Sequence, residues 1–136
     1  MYRASRKSQL VRAIVFAEDT GLILLEKAGS SQHYRLPFLQ LELGANAKGE
    51  LKSELEAEFA IKLRFRKILP DSWTKNFRPK QGEGVTNQFE LTYIFELLGF
   101  DKLRFKQTEA IWVEPDKDTL SHLTDSDAEA LTMFID

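Results

Sequence analysis

The sequence has no cysteine among its 136 residues. That excludes disulfides, thiol nucleophiles and thiolate metal sites. Its 2 histidines, His33 and His122, lie far apart along the chain, so a histidine-rich zinc site is not expected. The longest apolar runs, such as Ala13 to Ala17 and Leu22 to Leu25, are too short to cross a bilayer, which takes about 20 residues of helix. The opening MYRASRKSQ is basic but lacks the apolar core of a secretion signal. Neither sign of charge dominates: 19 basic against 21 acidic residues leave a net charge of -2. That balance lacks the basic signature of nucleic-acid binding. Internal repeats, low-complexity tracts and interdomain linkers are absent too. What is present is a chain rich enough in apolar side chains, 43% with 10 phenylalanines, to build a real core. The expectation is one soluble, cytoplasmic domain spanning 1–136, with no membrane or nucleic-acid partner.

Leu10 to Ala17 is apolar and β-branched apart from Arg12 and reads as a buried strand. Glu18-Asp19-Thr20-Gly21 supplies turn chemistry, and Leu22 to Lys27 reads as the returning strand of a hairpin. Gly29-Ser30-Ser31 opens a loop that carries His33 and Tyr34 to Pro37, with His33 a loop residue rather than a ligand. Leu39 to Leu43 alternates with period two, a half-buried strand. Asn46 is a permissible helix N-cap, and Lys48 to Ala60 is composed of strong helix formers. Lys62 to Leu69, Phe89 to Phe100 and Thr108 to Glu114 read as three further strands, with Trp112 in the core. Asp125 to Ile135 reads as a short amphipathic helix that turns Ala128, Leu131 and Ile135 inward. The order β-β-β-α-β-β-β-α predicts an α/β (α+β) domain, a mixed sheet packed between helices.

The central helix carries the chemistry. Leu51, Leu55 and Phe59 form its apolar stripe. Glu54 and Glu58 are one turn apart beside that stripe, and Glu50 extends the row. Mutual repulsion costs only a few tenths of a kcal/mol per pair, so a solvated helix face tolerates the row and spacing alone does not make it a site. Asp71 to Gln88 shows no periodicity, and a loop of that length in a compact domain tends to be functional or mobile. Within it Lys75, Arg78 and Lys80 are candidates to bind phosphate, with Trp73 or Phe77 stacking on a base. The plainer alternative is an ordinary surface loop. Arg3, Arg6 and Lys7 read as a loose tail.

From Leu36 to Ile61 the chain resembles the Nudix superfamily, whose box runs G-x5-E-x7-R-E-U-x-E-E-x-G-U after a Leu-Pro pair, U being a bulky aliphatic. Anchored on Leu36-Pro37 the fit has no gap, and Glu54, Leu55, Glu58 and Ile61 fall on box positions. The departures are Leu39 for the first glycine, Ala45 for a glutamate, Ser53 for the arginine, Ala57 for another glutamate and Ala60 for the final glycine. The hairpin before the box and the strand, acidic loop and helix that close the chain are similar to the same family.

The resemblance implies a fold and a chemistry. Nudix enzymes cleave a diphosphate linked to a nucleoside or similar group, with Mg²⁺ or Mn²⁺ on the box glutamates. By that correspondence Glu54 and Glu58 are the catalytic and metal-ligand candidates, and Glu109 is a further ligand or base. Arg78, Lys80 and Phe77 are the ligand-binding candidates. A hard cation needs several oxygen ligands, and the box arginine orients a glutamate by bidentate pairing. With Ala57 and Ser53 at those positions, metal binding should be weak. Glu50 lies about 10 Å along the axis from Ala57 and does not replace it. The expected function is binding of a nucleotide-like or other diphosphate-linked ligand, or of a protein partner, with hydrolysis weak or lost. A metal-dependent Nudix pyrophosphohydrolase is the alternative.

Overall fold

The chain is built around one strand, β1 (Ser8–Phe16). Val11, Ala13, Ile14 and Val15 within it have no exposed surface, as expected of a nearly continuous apolar run covered on both faces. The computed structural model describes residues 8–27, 33–42, 44–69, 88–100 and 110–135. The other strands are β2 (Ile23–Lys27), β3 (Tyr34–Arg35), β4 (Phe38–Glu42), β5 (Ile61–Ile68), β6 (Gln88–Phe100) and β7 (Ala110–Val113). The helices are α1 (Ala47–Phe59), α2 (Lys117–Ser121) and α3 (Asp125–Ile135). None of the described helices is long and apolar enough to cross a membrane.

The seven strands among the described residues form one mixed sheet, ordered β3-β2-β1-β6-β5, with β4 paired to β1 and β7 to β2. One edge of β1 runs parallel to β6 along its whole length, from Ser8 opposite Gln88 to Phe16 opposite Glu96. The other edge is divided. β4 pairs antiparallel with Ser8 to Arg12, and β2 meets β1 only at Phe16 opposite Ile23. The expected hairpin therefore closes at its turn and then splays. Gly21 makes the turn at φ 76°, a left-handed conformation natural to glycine, and its N–H donates to Ala17 O at 2.7 Å. The gap left by the splay admits β4, which leads into α1.

The alternation of β1 supplies two cores. On one face Val11, Ala13, Val15, Leu24 and Phe95 pack with Leu51, Leu55 and Phe59 of α1. On the other Ile14, Ile23, Leu25, Leu36 and Ile94 pack with Ala130 and Leu131 of α3. The mixed sheet packed between helices read from the sequence is the architecture observed.

Two elements escape the sequence reading. β3 is two residues long, too short for alternation to register. The acidic stretch after β7 contains α2, whose first turn is closed by Asp116 accepting from Thr119 N–H at 2.9 Å. The inward face of α3 also differs from expectation. Asp127, Ala130 and Leu131 are its buried residues, while Ala128 is half-buried and Ile135 is 46% exposed. A charged residue stands in the stripe because Arg12, buried in β1, needs it: Nε donates to Asp127 Oδ1 at 2.9 Å. Trp112 lies half-buried against the α1-side core.

Candidate functional site

α1 begins where Asn46 Oδ1 accepts from Gly49 N–H at 3.2 Å, the N-cap read from the sequence. Leu51, Leu55 and Phe59 are all at most 3% exposed, and Glu50, Glu54 and Glu58 are exposed on the same helix. The carboxylate row thus lies outside the apolar stripe, on the exposed face of the helix. Ser53 and Ala57 are exposed alongside it. Asn46, Gly49, Glu50, Ser53 and Glu54 line a shallow, open depression on this surface.

The helix ends at Ala60, in the left-handed conformation at φ 55° and ψ 49°. This is where the box pattern has its final glycine, and here alanine adopts a backbone shape that favours glycine. Glu56 secures the exit into β5 by accepting from Leu63 N–H at 2.9 Å. Leu39, at the first glycine position, behaves differently. It is a strand residue of β4 packed against the α1-side core, and its φ is not positive. Glycine's backbone freedom is not needed there.

Whether this surface suits a divalent cation is decided by its donor set. Glu54 and Glu58 are hard oxygen donors one turn apart. Among the described residues, however, no group of three or more ligating side chains converges. Two carboxylates match the way Mg²⁺ is often held, by one or two protein carboxylates plus substrate phosphates and water. They do not amount to an all-protein cage. Glu109 lies outside the described residues, as do Phe77, Arg78 and Lys80 and nearly all of the long loop that carries them.

Two features of the structure were not singled out in the sequence. The first is a charged pair on neighbouring strands. Glu26 of β2 stands opposite Arg35 of β3, and Arg35 Nε donates to Glu26 Oε2 at 2.8 Å. Glu26 follows Leu24 by two residues, so it faces the α1 side of the sheet. Burial pushes its carboxyl above the ordinary carboxylate range; the bond and charge of Arg35 oppose this, and the charges of Glu58 and Asp127 add to it. The Arg35 guanidinium also lies 4.7 Å from the centre of the Phe38 ring. The available signal was a glutamate ending an apolar strand and an arginine directly before Leu36-Pro37.

The second is a cleft of about 260 Å³ on the other side of the sheet, walled by Leu25, Tyr34, Ile111, Val113 and Leu123. His33 and His122 both line it, with Asp118 and Thr119. The two histidines far apart in sequence are thus brought to one pocket by the strand pairing and α2. His122 Nδ1 is 2.8 Å from Asp118 O.

The loop leading to α1 is fixed from behind. Asp127 Oδ2 accepts from Leu36 N–H at 3.1 Å, and Ala13 N–H donates to Pro37 O at 2.8 Å. Leu36 and Pro37 are consequently fully buried.

No protein-family model matches the chain, and no curated protein matches it significantly. Solved structures do. A NUDIX hydrolase from Nitrosomonas europaea is similar at a TM-score of 0.68 with 15% identity, over 95% of this chain and 88% of that one. An ADP-ribose pyrophosphatase from Streptococcus suis gives 0.63 with 19% identity, over 93% of this chain and 87% of its own. A UDP-X diphosphatase gives 0.64 with 18% identity, covering 99% of this chain but 65% of the larger protein. The chain therefore shares the fold of these solved structures, a NUDIX hydrolase among them.

Proposed function

We propose that residues 1–136 form one Nudix-like domain that binds a nucleotide or another diphosphate-linked ligand together with a divalent cation, hydrolysing it weakly or not at all. The observation that carries this reading is the surface of α1. Glu54 and Glu58 are exposed one turn apart, while the neighbouring box positions are Ser53 and Ala57. Two carboxylates suffice to share a Mg²⁺ or Mn²⁺ with the oxygens of a diphosphate. They leave too few charged groups to fix the ion and a nucleophile with the accuracy that cleavage requires. The names of the structural neighbours, an ADP-ribose pyrophosphatase and a UDP-X diphosphatase, fit the same ligand class.

The test is thermal unfolding with Mg²⁺ alone, ADP-ribose alone and both together. A ligand selective for the folded state stabilises it, by about 2.7 kcal/mol at one hundred times its Kd. The combination should raise Tm more than the two separate effects added. Binding that is absent in all three conditions overturns the reading. Rapid hydrolysis of ADP-ribose, lost in Glu58→Gln, establishes the alternative, a metal-dependent pyrophosphohydrolase.

A further inference from the structure

The geometry points to Arg35 as the residue that receives a phosphate of the bound ligand, with Glu26 as the residue that positions it. This rests on the diphosphate-binding reading above and assigns a cation to it. The surface of α1 presents carboxylates at Glu50, Glu54 and Glu58. A diphosphate placed there meets like charge, and a divalent ion shared with two carboxylates offsets only part of it. A fixed cation beside the row is required, and Ser53 does not supply one.

Arg35 meets the requirement on three counts. Its place is set by strand pairing, since β3 and β2 bring it opposite Glu26 on the α1 side of the sheet. Its side chain is held at two further points, by Glu26 Oε2 at 2.8 Å from Nε and by the Phe38 ring at 4.7 Å. Its terminal nitrogens remain for a ligand: among the described residues only Nε has a protein acceptor. The Arg35 side chain is 37% exposed while that of its partner Glu26 is 13% exposed. The anion is therefore inside and the donor fork outside, an arrangement that pre-organises arginine for bidentate contact with phosphate. By strand register Glu26 and Arg35 lie on the same side of the sheet as α1, and the charge of Glu58 acts on Glu26.

Glu26 and Glu58 also invite the opposite assignment, Glu26 as a cation ligand, and the two readings predict opposite responses to Glu26→Gln. Affinities for inorganic pyrophosphate and for ADP, each with Mg²⁺, should be measured by calorimetry on wild type, R35Q, R35K and E26Q. Loss of a charge-assisted bidentate contact should weaken R35Q about tenfold or more for both ligands. R35K keeps the charge but not the fork and should lose severalfold; it also serves as the test if R35Q does not fold. E26Q should bind as well as wild type or better, because one negative charge is removed and the amide oxygen still accepts from Nε. Wild type that binds neither ligand removes the binding reading and this assignment together. Wild type that binds while R35Q and R35K bind equally well overturns the role of Arg35 and leaves the binding reading standing. Weakening by E26Q alone transfers the role to Glu26 and equally overturns it.

Discussion

Arg12 and Asp127, 115 residues apart, meet at 2.9 Å in the interior and fasten the last helix to the central strand. Arg12 Nη2 also donates to Glu90 of β6 at 2.7 Å, and the side chains of Arg12 and Asp127 are only 6% and 10% exposed. The second oxygen of Asp127 holds Leu36 N–H. One carboxylate thus ties α3, β1 and the approach to α1. Asp127→Ala leaves a buried guanidinium with Glu90 alone and an amide without its acceptor. Breaking such a pair costs about 3–5 kcal/mol, which should appear as a lower urea midpoint. Asp127→Asn keeps an acceptor and should lose less. An alanine variant as stable as wild type would mean the network contributes nothing.

The pH dependence of stability should carry the mark of Glu26. Burial raises its pKa in the fold against the opposing pull of Arg35, with Glu58 and Asp127 adding to the rise. The folded chain therefore holds this proton more tightly than the unfolded chain. The stability so contributed is complete below the unfolded carboxylate pKa, about pH 4, and is lost as pH rises through the folded value. Glu26→Gln does not ionise, so its stability relative to wild type should improve from about pH 4 towards about pH 7. Asp127 is also raised, chiefly by burial, but it is present in both proteins and largely cancels in the difference. Urea midpoints across this range check it. A gap between the two proteins that stays constant with pH contradicts the shift.

These two residues also show why parts of the molecule were legible in the sequence and parts were not. The burial of Leu51, Leu55 and Phe59 and the exposure of Glu54 and Glu58 follow from helical period alone, because one helix decides which face each residue takes. The N-cap at Asn46 is equally local. Asp127 is not legible in this way: an aspartate reads as solvent-facing until Arg12, on a strand far away, is known to sit beneath it. Glu26 and Arg35 meet only because β3 pairs with β2, and β3 is too short to leave a pattern. His33 and His122 share a cleft through α2, hidden in a stretch that reads as an acidic loop. Local period reveals elements; long-range pairing of charged groups does not show in it.

Ala60 carries a cost that glycine would remove. A left-handed conformation costs an L-residue about 1–2 kcal/mol, and glycine gives back about 0.4–1 kcal/mol of that through the entropy of the unfolded chain. Ala60→Gly should therefore stabilise the protein by roughly 0.5–1 kcal/mol. The change lies at the end of α1, away from Glu54, and should leave ligand affinity unaltered. Chemical denaturation measures the first and calorimetry the second. A destabilised glycine variant would show that Ala60 is not strained.

The sharpest prediction concerns Ser53 and Ala57, both exposed beside Glu54 and Glu58. Ser53→Arg together with Ala57→Glu adds one carboxylate to the cation's donor set and one guanidinium able to fix a neighbouring glutamate. Each added carboxylate brings a ligand and negative charge that offsets the desolvation of the ion, so the double variant should bind Mn²⁺ more tightly than wild type. Hydrolysis of ADP-ribose, nucleoside triphosphates or dinucleoside polyphosphates by wild type should be slow or undetectable. Slight misplacement of reacting groups reduces rates about a hundredfold, so tighter metal binding need not restore turnover. Titration of Mn²⁺ by calorimetry, with product release followed in parallel, separates the cases. Fast wild-type turnover abolished by Glu58→Gln would make the two glutamates a working catalytic site despite Ser53 and Ala57. Unchanged Mn²⁺ affinity in the double variant of an inert protein would instead make the acidic row a solvated helix face.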